Sequence, residues 1–296
     1  MKHRKHVRCF SWILTVLTCA TFARASTIAA QKEGKEPPLH WNPPNVEAPI
    51  ASLTSTPACS LPDVLKGAGE RATELVENLQ NFTAHERIRF QQFEPDGISR
   101  MGDTVIFDYA VNFGERAGAL TVSETRAPAK GVSSLPSGVN DSGLPAIALI
   151  FHPLYQDDYD MRCEGADQWK NEPSWVIHFQ QRKGKPSRTR SFRTSMGSYA
   201  AKLKGRAWIS AASFQILHVE TNLMEPVPMV HLQTDIVSLD YAPVQFQSRK
   251  IILYLPQAAE TYSDFTTYRY VVQHTFTDFL LSFVQSEQVL GKPKQP

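Results

Sequence analysis

Apolar and polar residues alternate over long stretches of this chain. In DTVIFDYAVNF, residues 103 to 113, Val105, Phe107, Tyr109, Val111 and Phe113 take every second position, with Thr104, Asp108 and Asn112 between them. A period of two predicts a half-buried strand with one oily face. The same period predicts strands at 82 to 93 and 118 to 126, and short connections make these three an antiparallel meander. Further strands follow in MRCEGADQWKNEPSWVIHFQQRK, a hairpin joined near NEP, and in LKGRAWISAASFQILHVETNL, a hairpin turning at Ser210 to Ser213. MVHLQTDIVSLDY switches its apolar face near Ile236-Val237, which predicts a bulge or bend. VQFQSRKIILYLP supplies one or two more strands, and the last carries Tyr268, Tyr270, Val272, His274 and Phe276 on one face.

Two segments break the period. Leu61, Val64, Leu65, Ala68, Ala72, Leu75, Val76 and Leu79 recur at helical spacing, with Ser60 placed to cap and Pro62 at an early helical position. LPAIALIFHPLY reads as a short buried helix ended by Pro153. The sum is an α+β, mainly antiparallel β fold: a curved, incomplete barrel of about ten strands closed by one long and one short helix. So little helix leaves apolar concave surface over. Val105, Phe107, Tyr109, Val111, Phe113, Trp208, Tyr268, Tyr270 and Val272 are the expected lining of that hollow.

The ends modify this picture. Residues 1 to 25 combine Lys2, Arg4, Lys5 and Arg8 with an apolar run and an Ala23-x-Ala25 site, the pattern of a secretory signal peptide. The run is too short to span a bilayer. Thr18 stands where a lipobox wants a smaller residue, so lipid anchoring at Cys19 is disfavoured. Residues 26 to 58 are rich in proline and read as an extended linker. The folded domain then occupies 59 to 288, with a tail at 289 to 296. The full chain has 31 basic and 29 acidic residues. Five basic residues lie in the leader, leaving 26 against 29, a formal −3. That balance excludes a nucleic-acid partner. Export to the periplasm or outside also favours a disulfide between Cys59 and Cys163, the two cysteines beyond the leader.

Candidate chemistry is sparse. His178, His218, His231 and His274 fall on separate strand candidates without metal-ligand spacing, and no nucleophile elbow or phosphate loop occurs. No metal, cofactor or catalytic residue is expected. Asp157, Asp158 and Asp160 form an acidic turn without a calcium-loop pattern. The loop RKGKPSRTRSFR gathers Arg182, Lys183, Lys185, Arg188, Arg190 and Arg193 with no acid among them. A solvated loop is the plain reading, and peripheral contact with anionic lipid or an acidic partner the sharper one. Glycosylation triplets start at Asn81 and Asn140.

The helix running into LVENLQNFTAHERI, the meander, the hairpin GRAWISAASFQILHVE with its G-x-x-W-I and I-L-x-x-E arms, and the closing strand YRYVVQHTFTDFLLSFV are together similar to the outer-membrane lipoprotein-carrier superfamily, the LolA/LolB/RseB-like proteins. The resemblance covers most of residues 60 to 286. It implies an incomplete barrel closed by helices, a hollow that takes acyl chains, and no covalent chemistry. It carries over no particular ligand-contacting residue. The expectation is a non-enzymatic exported binding protein for lipid, a lipidated protein or another hydrophobic ligand. The alternative is an envelope protein-interaction or stress-sensor domain of the same fold with a packed core.

Overall fold

The computed structural model describes residues 36–54, 59–79, 81–116, 118–129, 135–136, 142–194, 197–247 and 249–281, without the side chains of 193 and 194. The chain forms two units, Met1–Pro38 and Leu39–Pro296. Of the first only residues 36–38 are described. The expected signal peptide, Cys19 and the Asn140 triplet lie outside the described residues, as do the expected tail and the last part of the domain.

The second unit opens with helix α1 (Leu61–Asn78) and the meander β1 (Asn81–Phe93), β2 (Ser99–Arg116) and β3 (Ala119–Pro128). A 3-10 turn, Pro145–Phe151, leads into the short helix α2 (Pro153–Gln156). The hairpin β4 (Tyr159–Trp169) and β5 (Glu172–Gln181) follows, then the small strands β6 (Ser191–Thr194) and β7 (Gly197–Ala200). β8 (Leu203–Ser210), β9 (Ile216–Leu223), β10 (Leu232–Phe246), β11 (Ile251–Phe265) and β12 (Tyr268–Leu281) complete the order. Ten strands form one antiparallel sheet in the order β3-β2-β1-β12-β11-β10-β9-β8-β5-β4, while β6 and β7 pair separately. The sheet has two ends and does not close into a barrel.

α1 lies against one face of the sheet, the inner face. Val64, Ala68, Leu75 and Leu79 join Phe82, Tyr109, Val111, Phe113, Ile177, Phe179, Val237 and Phe276 in one apolar cluster. Each residue from Pro145 to Phe151 is buried in the same place. Burial of a large apolar side chain is worth about 1.5–3 kcal/mol, so this cluster is a principal source of stability. Gly67 faces the Phe214 ring so closely that a β-carbon there would lie 2.3 Å from it. The weak helix former is thus what lets α1 approach the β8–β9 turn. Ser60 occupies the cap position but its side chain makes no capping bond.

Residues 39–54 differ from the extended linker expected over 26–58. They form a strap across the outer face. Leu39 and Trp41 pack with Phe93, Ile236, Tyr262 and Val271, and Val46 is wholly buried. Arg269 sits over the Trp41 ring at 5.1 Å. Farther on, Lys204 pairs with Glu47 at 2.9 Å and Arg206 donates to the Ala48 carbonyl at 2.6 Å. Prolines misled because few apolar residues suffice when the sheet provides the other half of the contact. The strap ends in a two-bond bridge from Thr54 to Ala166 on the edge strand β4. Gly165 makes this possible: its φ is +147°, and a β-carbon would lie 2.5 Å from the Thr54 carbonyl. Cys59 then bonds to Cys163 of β4, and the chain enters α1 on the inner face.

The strap also corrects the reading of β10. Register runs unbroken from Asp235 to Asp240, and the shifts lie at Leu232/Thr234 and Asp240/Tyr241. Ile236 and Val237 are both apolar because both faces are covered, Val237 by the inner core and Ile236 by Leu39.

The disulfide closes a loop of 104 residues at the point where the chain rounds the sheet edge. Replacing both cysteines, Cys59→Ser with Cys163→Ser, is expected to cost about 2–4 kcal/mol in urea unfolding. An unchanged midpoint would show that the bridge does not constrain the unfolded chain.

Candidate functional site

The inner face is not uniformly apolar. Below the α1 cluster lies a second one, containing Ile88, Phe90, Val105, Phe107, Leu203, Leu223, Leu232, Phe265, Tyr270 and Val272. Between the two runs a band of buried polar side chains. Glu86 of β1, His274 of β12, Thr261 and Ser263 of β11, Asp235 of β10 and Thr221 of β9 are each at most 4% exposed.

Two arginines reach into this band from outside the central strands. Arg126 of β3 donates to Glu86 through Nε at 2.5 Å and Nη2 at 3.0 Å. The other side of Glu86 meets His274 Nδ1 at 2.8 Å. Burial alone would raise the Glu86 pKa, but the hydrogen bonds from His274 and Arg126 outweigh it and hold the carboxyl below its usual value. Arg190, in the segment before β6, grips Asp235 with Nε at 2.8 Å and Nη2 at 2.9 Å, and both side chains are wholly buried. Ser263 also donates to Asp235, at 3.0 Å, and Arg190 Nη1 reaches the Ser142 carbonyl at 3.1 Å. Bidentate guanidinium–carboxylate geometry suits both pairs.

The band opens at the β3 edge. There Glu124 accepts from the Tyr109 hydroxyl and from the Gly143 amide, each at 2.6 Å. Burial and the Glu124 charge push the Tyr109 phenol well above its ordinary pKa. Val122 to Arg126 form one wall of a groove of about 460 Å³. Ser142, Gly143, Ala146 and Arg188 to Ser191 form the rest. Gly143 has φ of +106°, and a β-carbon would lie 2.3 Å from the Thr189 carbonyl, so the far wall needs glycine. A small cavity of about 20 Å³ lies under α1, among Ala72, Leu75, Ala148, Ile216, Tyr241 and Leu253. A further hollow of about 440 Å³ lies along α1 between Leu65, Lys66, Glu70, Glu77, Pro153 and Gln156.

The expected lining residues divide. Tyr109, Val111 and Phe113 belong to the α1 cluster; Val105, Phe107, Tyr270 and Val272 belong to the second, against which Tyr268 packs. Trp208 is on the opposite, outer face and does not line the concave side. Its Nε1 donates to Asp167 at 2.9 Å, and its ring meets His218, which stacks on Trp169 at 3.7 Å. Its neighbours Ala207 and Ile209 take the inner positions.

The basic loop meets the acidic turn. Arg182 pairs with Asp160 at 2.7 Å, Lys185 with Asp158 at 3.0 Å, and Arg188 approaches Asp158 at 3.9 Å. Arg190 is the buried partner of Asp235, and Lys183 is exposed. The Arg193 side chain is outside the description. Two motifs that looked separate are therefore joined, through Arg182 and Lys185 above all. The histidines do not converge: His178 lies 3.7 Å from Glu47, His218 lies 2.8 Å from Asp240, and His274 is in the band. His231 ends a 3-10 turn with φ of 58°. Among the described residues no group of three or more His, Cys, Asp or Glu is arranged to hold a metal ion.

The polar band escaped the sequence reading, yet left a trace. In β1 the inward row is Phe82, Ala84, Glu86, Ile88, Phe90; in β12 it is Tyr270, Val272, His274, Phe276. A polar residue in an otherwise apolar row, repeated on neighbouring strands, marks an internal pair.

No family model and no curated protein sequence matches the chain. Solved structures do. An outer-membrane lipoprotein-sorting protein domain from Vibrio parahaemolyticus is 12% identical, with TM-score 0.42, over 75% of this chain and 94% of that one. A LolA superfamily protein from Nitrosomonas europaea is 12% identical, with TM-score 0.36, over 77% and 96%. MucB in complex with MucA is 9% identical, with TM-score 0.21, over 75% and 99%. The resemblance is remote.

Two stability outcomes follow from the band. The Glu86 carboxyl is lower in pKa folded than unfolded, so its stabilisation is complete above the unfolded value of 4.5 and is lost as pH falls through the lower folded value. Glu86→Gln is expected to remove that part of the acid dependence and to cost about 3–5 kcal/mol at pH 7, because it takes from the buried Arg126 its bidentate carboxylate and leaves Glu124 at 3.9 Å; urea melts from pH 7 to 3 read both. Asp235→Ala should cost a similar amount, while Asp235→Leu combined with Arg190→Met costs far less. Equal losses in the single and the double variant would mean that burying unpaired Arg190 is not the dominant cost.

Proposed function

We propose that this chain is an exported, non-catalytic domain of the cell envelope that binds another polypeptide at its surface. The observation that supports this reading is the covered inner face. α1 and the 145–156 segment pack against it, and the cavity between α1, Ile216 and Tyr241 measures about 20 Å³, against roughly 300–1,000 Å³ for a pocket that encloses a drug-sized ligand; the hollows of about 440 and 460 Å³ lie along α1 and at the β3 edge. The basic leader and the paired Cys59 and Cys163 support a periplasmic or extracellular site of action. Among the described residues the buried carboxylates Glu86 and Asp235 face arginines and a histidine inside the band, an arrangement of ion pairs.

The reading of the chain as an acyl-chain carrier places the ligand in one of the two larger hollows or beneath a displaced α1. The disulfide holds only the N-terminal end of that helix, so the two readings separate cleanly by experiment. Protein purified from its own compartment and examined by native mass spectrometry and lipid extraction should carry no stoichiometric amphiphile. Affinity purification from envelope extracts should return a discrete protein partner. A bound lipid at one per chain, with no protein partner, would reverse the assignment in favour of the carrier.

A further inference from the structure

The two edges of the ten-stranded sheet are treated differently. β4 is closed: the Thr54 bridge occupies Ala166, the register is broken by a bulge between Cys163 and Gly165, and the disulfide pins Cys163. Bulges and covering segments are devices by which proteins blunt an edge against pairing with another chain. β3 has no bulge and no strap among the described residues; it is touched at its start, where the Tyr155 hydroxyl donates to the Leu120 carbonyl at 2.9 Å, and at Glu124, which accepts from the Gly143 amide. It is ten residues long, its register with β2 is unbroken from Phe107–Pro128 to Arg116–Ala119, and its one proline is the last residue. Thr121, Ser123 and Thr125 alternate on its outer side, a composition that favours pairing. Beside it lies the groove of about 460 Å³, lined by the consecutive run Val122 to Arg126.

Deepening the polypeptide-binding reading above, on which this inference rests, we propose that the β3 edge is the docking site, and that its occupant is an extended segment of another polypeptide that adds as an eleventh strand and carries an acidic side chain. Main-chain hydrogen bonds supply affinity in this mode and alternate side chains supply specificity. The occupant's inward side chains enter the groove. Three arginines and one glutamate line it. Arg126 and Arg190 are already held by Glu86 and Asp235. Arg188 is different: its side chain is 39% exposed, its guanidinium lies over the Tyr155 ring, and its carboxylate neighbour Asp158 is 3.9 Å away. It is the cation positioned to meet an incoming carboxylate.

The test uses the full chain and three labelled peptides of about nine residues, a length typical of strands. One alternates Thr and Val around a central Glu; the second has Lys at the centre; the third is the Glu peptide N-methylated at alternate amides. Fluorescence anisotropy should show the Glu peptide binding at least about tenfold more tightly than the Lys peptide, and no binding of the methylated one. Arg188→Glu should invert the Glu/Lys preference. Amide hydrogen exchange at Val122 to Thr125 should slow when the Glu peptide binds, and exchange at Ala166 should not. The proposal is overturned if neither unmethylated peptide binds, if Glu and Lys peptides bind equally, or if binding leaves β3 exchange unchanged. It is also overturned if the Glu peptide binds only after residues 130–141 are deleted, since the chain itself would then be the occupant. A lipid found by native mass spectrometry would sink the function proposed above without touching these peptide results, and a protein partner insensitive to Arg188→Glu would sink the edge site alone.

Discussion

The passage of the chain around β4 is the constraint on which the remaining architecture depends. A sheet of ten strands has two faces to cover and, among the described residues, one helix of useful length to do it with. The chain solves this by crossing the outer face first, as the 39–54 strap, and the inner face second, as α1. The crossing point is fixed by two covalently or sterically determined features, the Cys59–Cys163 bond and the bare main chain at Gly165. The strap thereby covers part of the outer face and α1 part of the inner one.

Within that envelope the polar band fixes how the strands align. Slipping any strand by one residue would turn Glu86, His274 or Asp235 outward and place an apolar neighbour among buried guanidinium groups. Buried ion pairs are weak sources of net stability, but a misaligned one is costly. The band is best understood as a register device, with Arg126 and Arg190 as the two clamps that secure the β3 edge and the 186–191 segment to the sheet interior.

Much of the architecture was legible in the residues. The period-two rows located the long strands, and α1 followed from Val64, Ala68, Ala72 and Leu75 at helical spacing. What failed did so for identifiable reasons. The strap was hidden because Leu39, Trp41 and Val46 are too few to make a period and are interrupted by prolines. β10 appeared to change phase because Ile236 and Val237 are buried on opposite sides. Trp208 was misplaced because tryptophan on a strand reports burial and not which face is buried. β6 and β7 were absorbed into the basic loop. The pairing of Arg182 and Lys185 with Asp160 and Asp158 was out of reach because the residues are neighbours only across the β4–β5 hairpin.

The strap touches the sheet through its main chain at two of its anchors. Thr54 exchanges backbone bonds with Ala166, and Ala48 offers only its carbonyl to Arg206. At those two points the route is written on the strands beneath, in Gly165 and Arg206, whereas Leu39, Trp41, Val46 and Glu47 hold the rest of the ribbon by their own side chains. A residue exchanged at Ala48 would keep the ribbon's course; one exchanged at Gly165 would not.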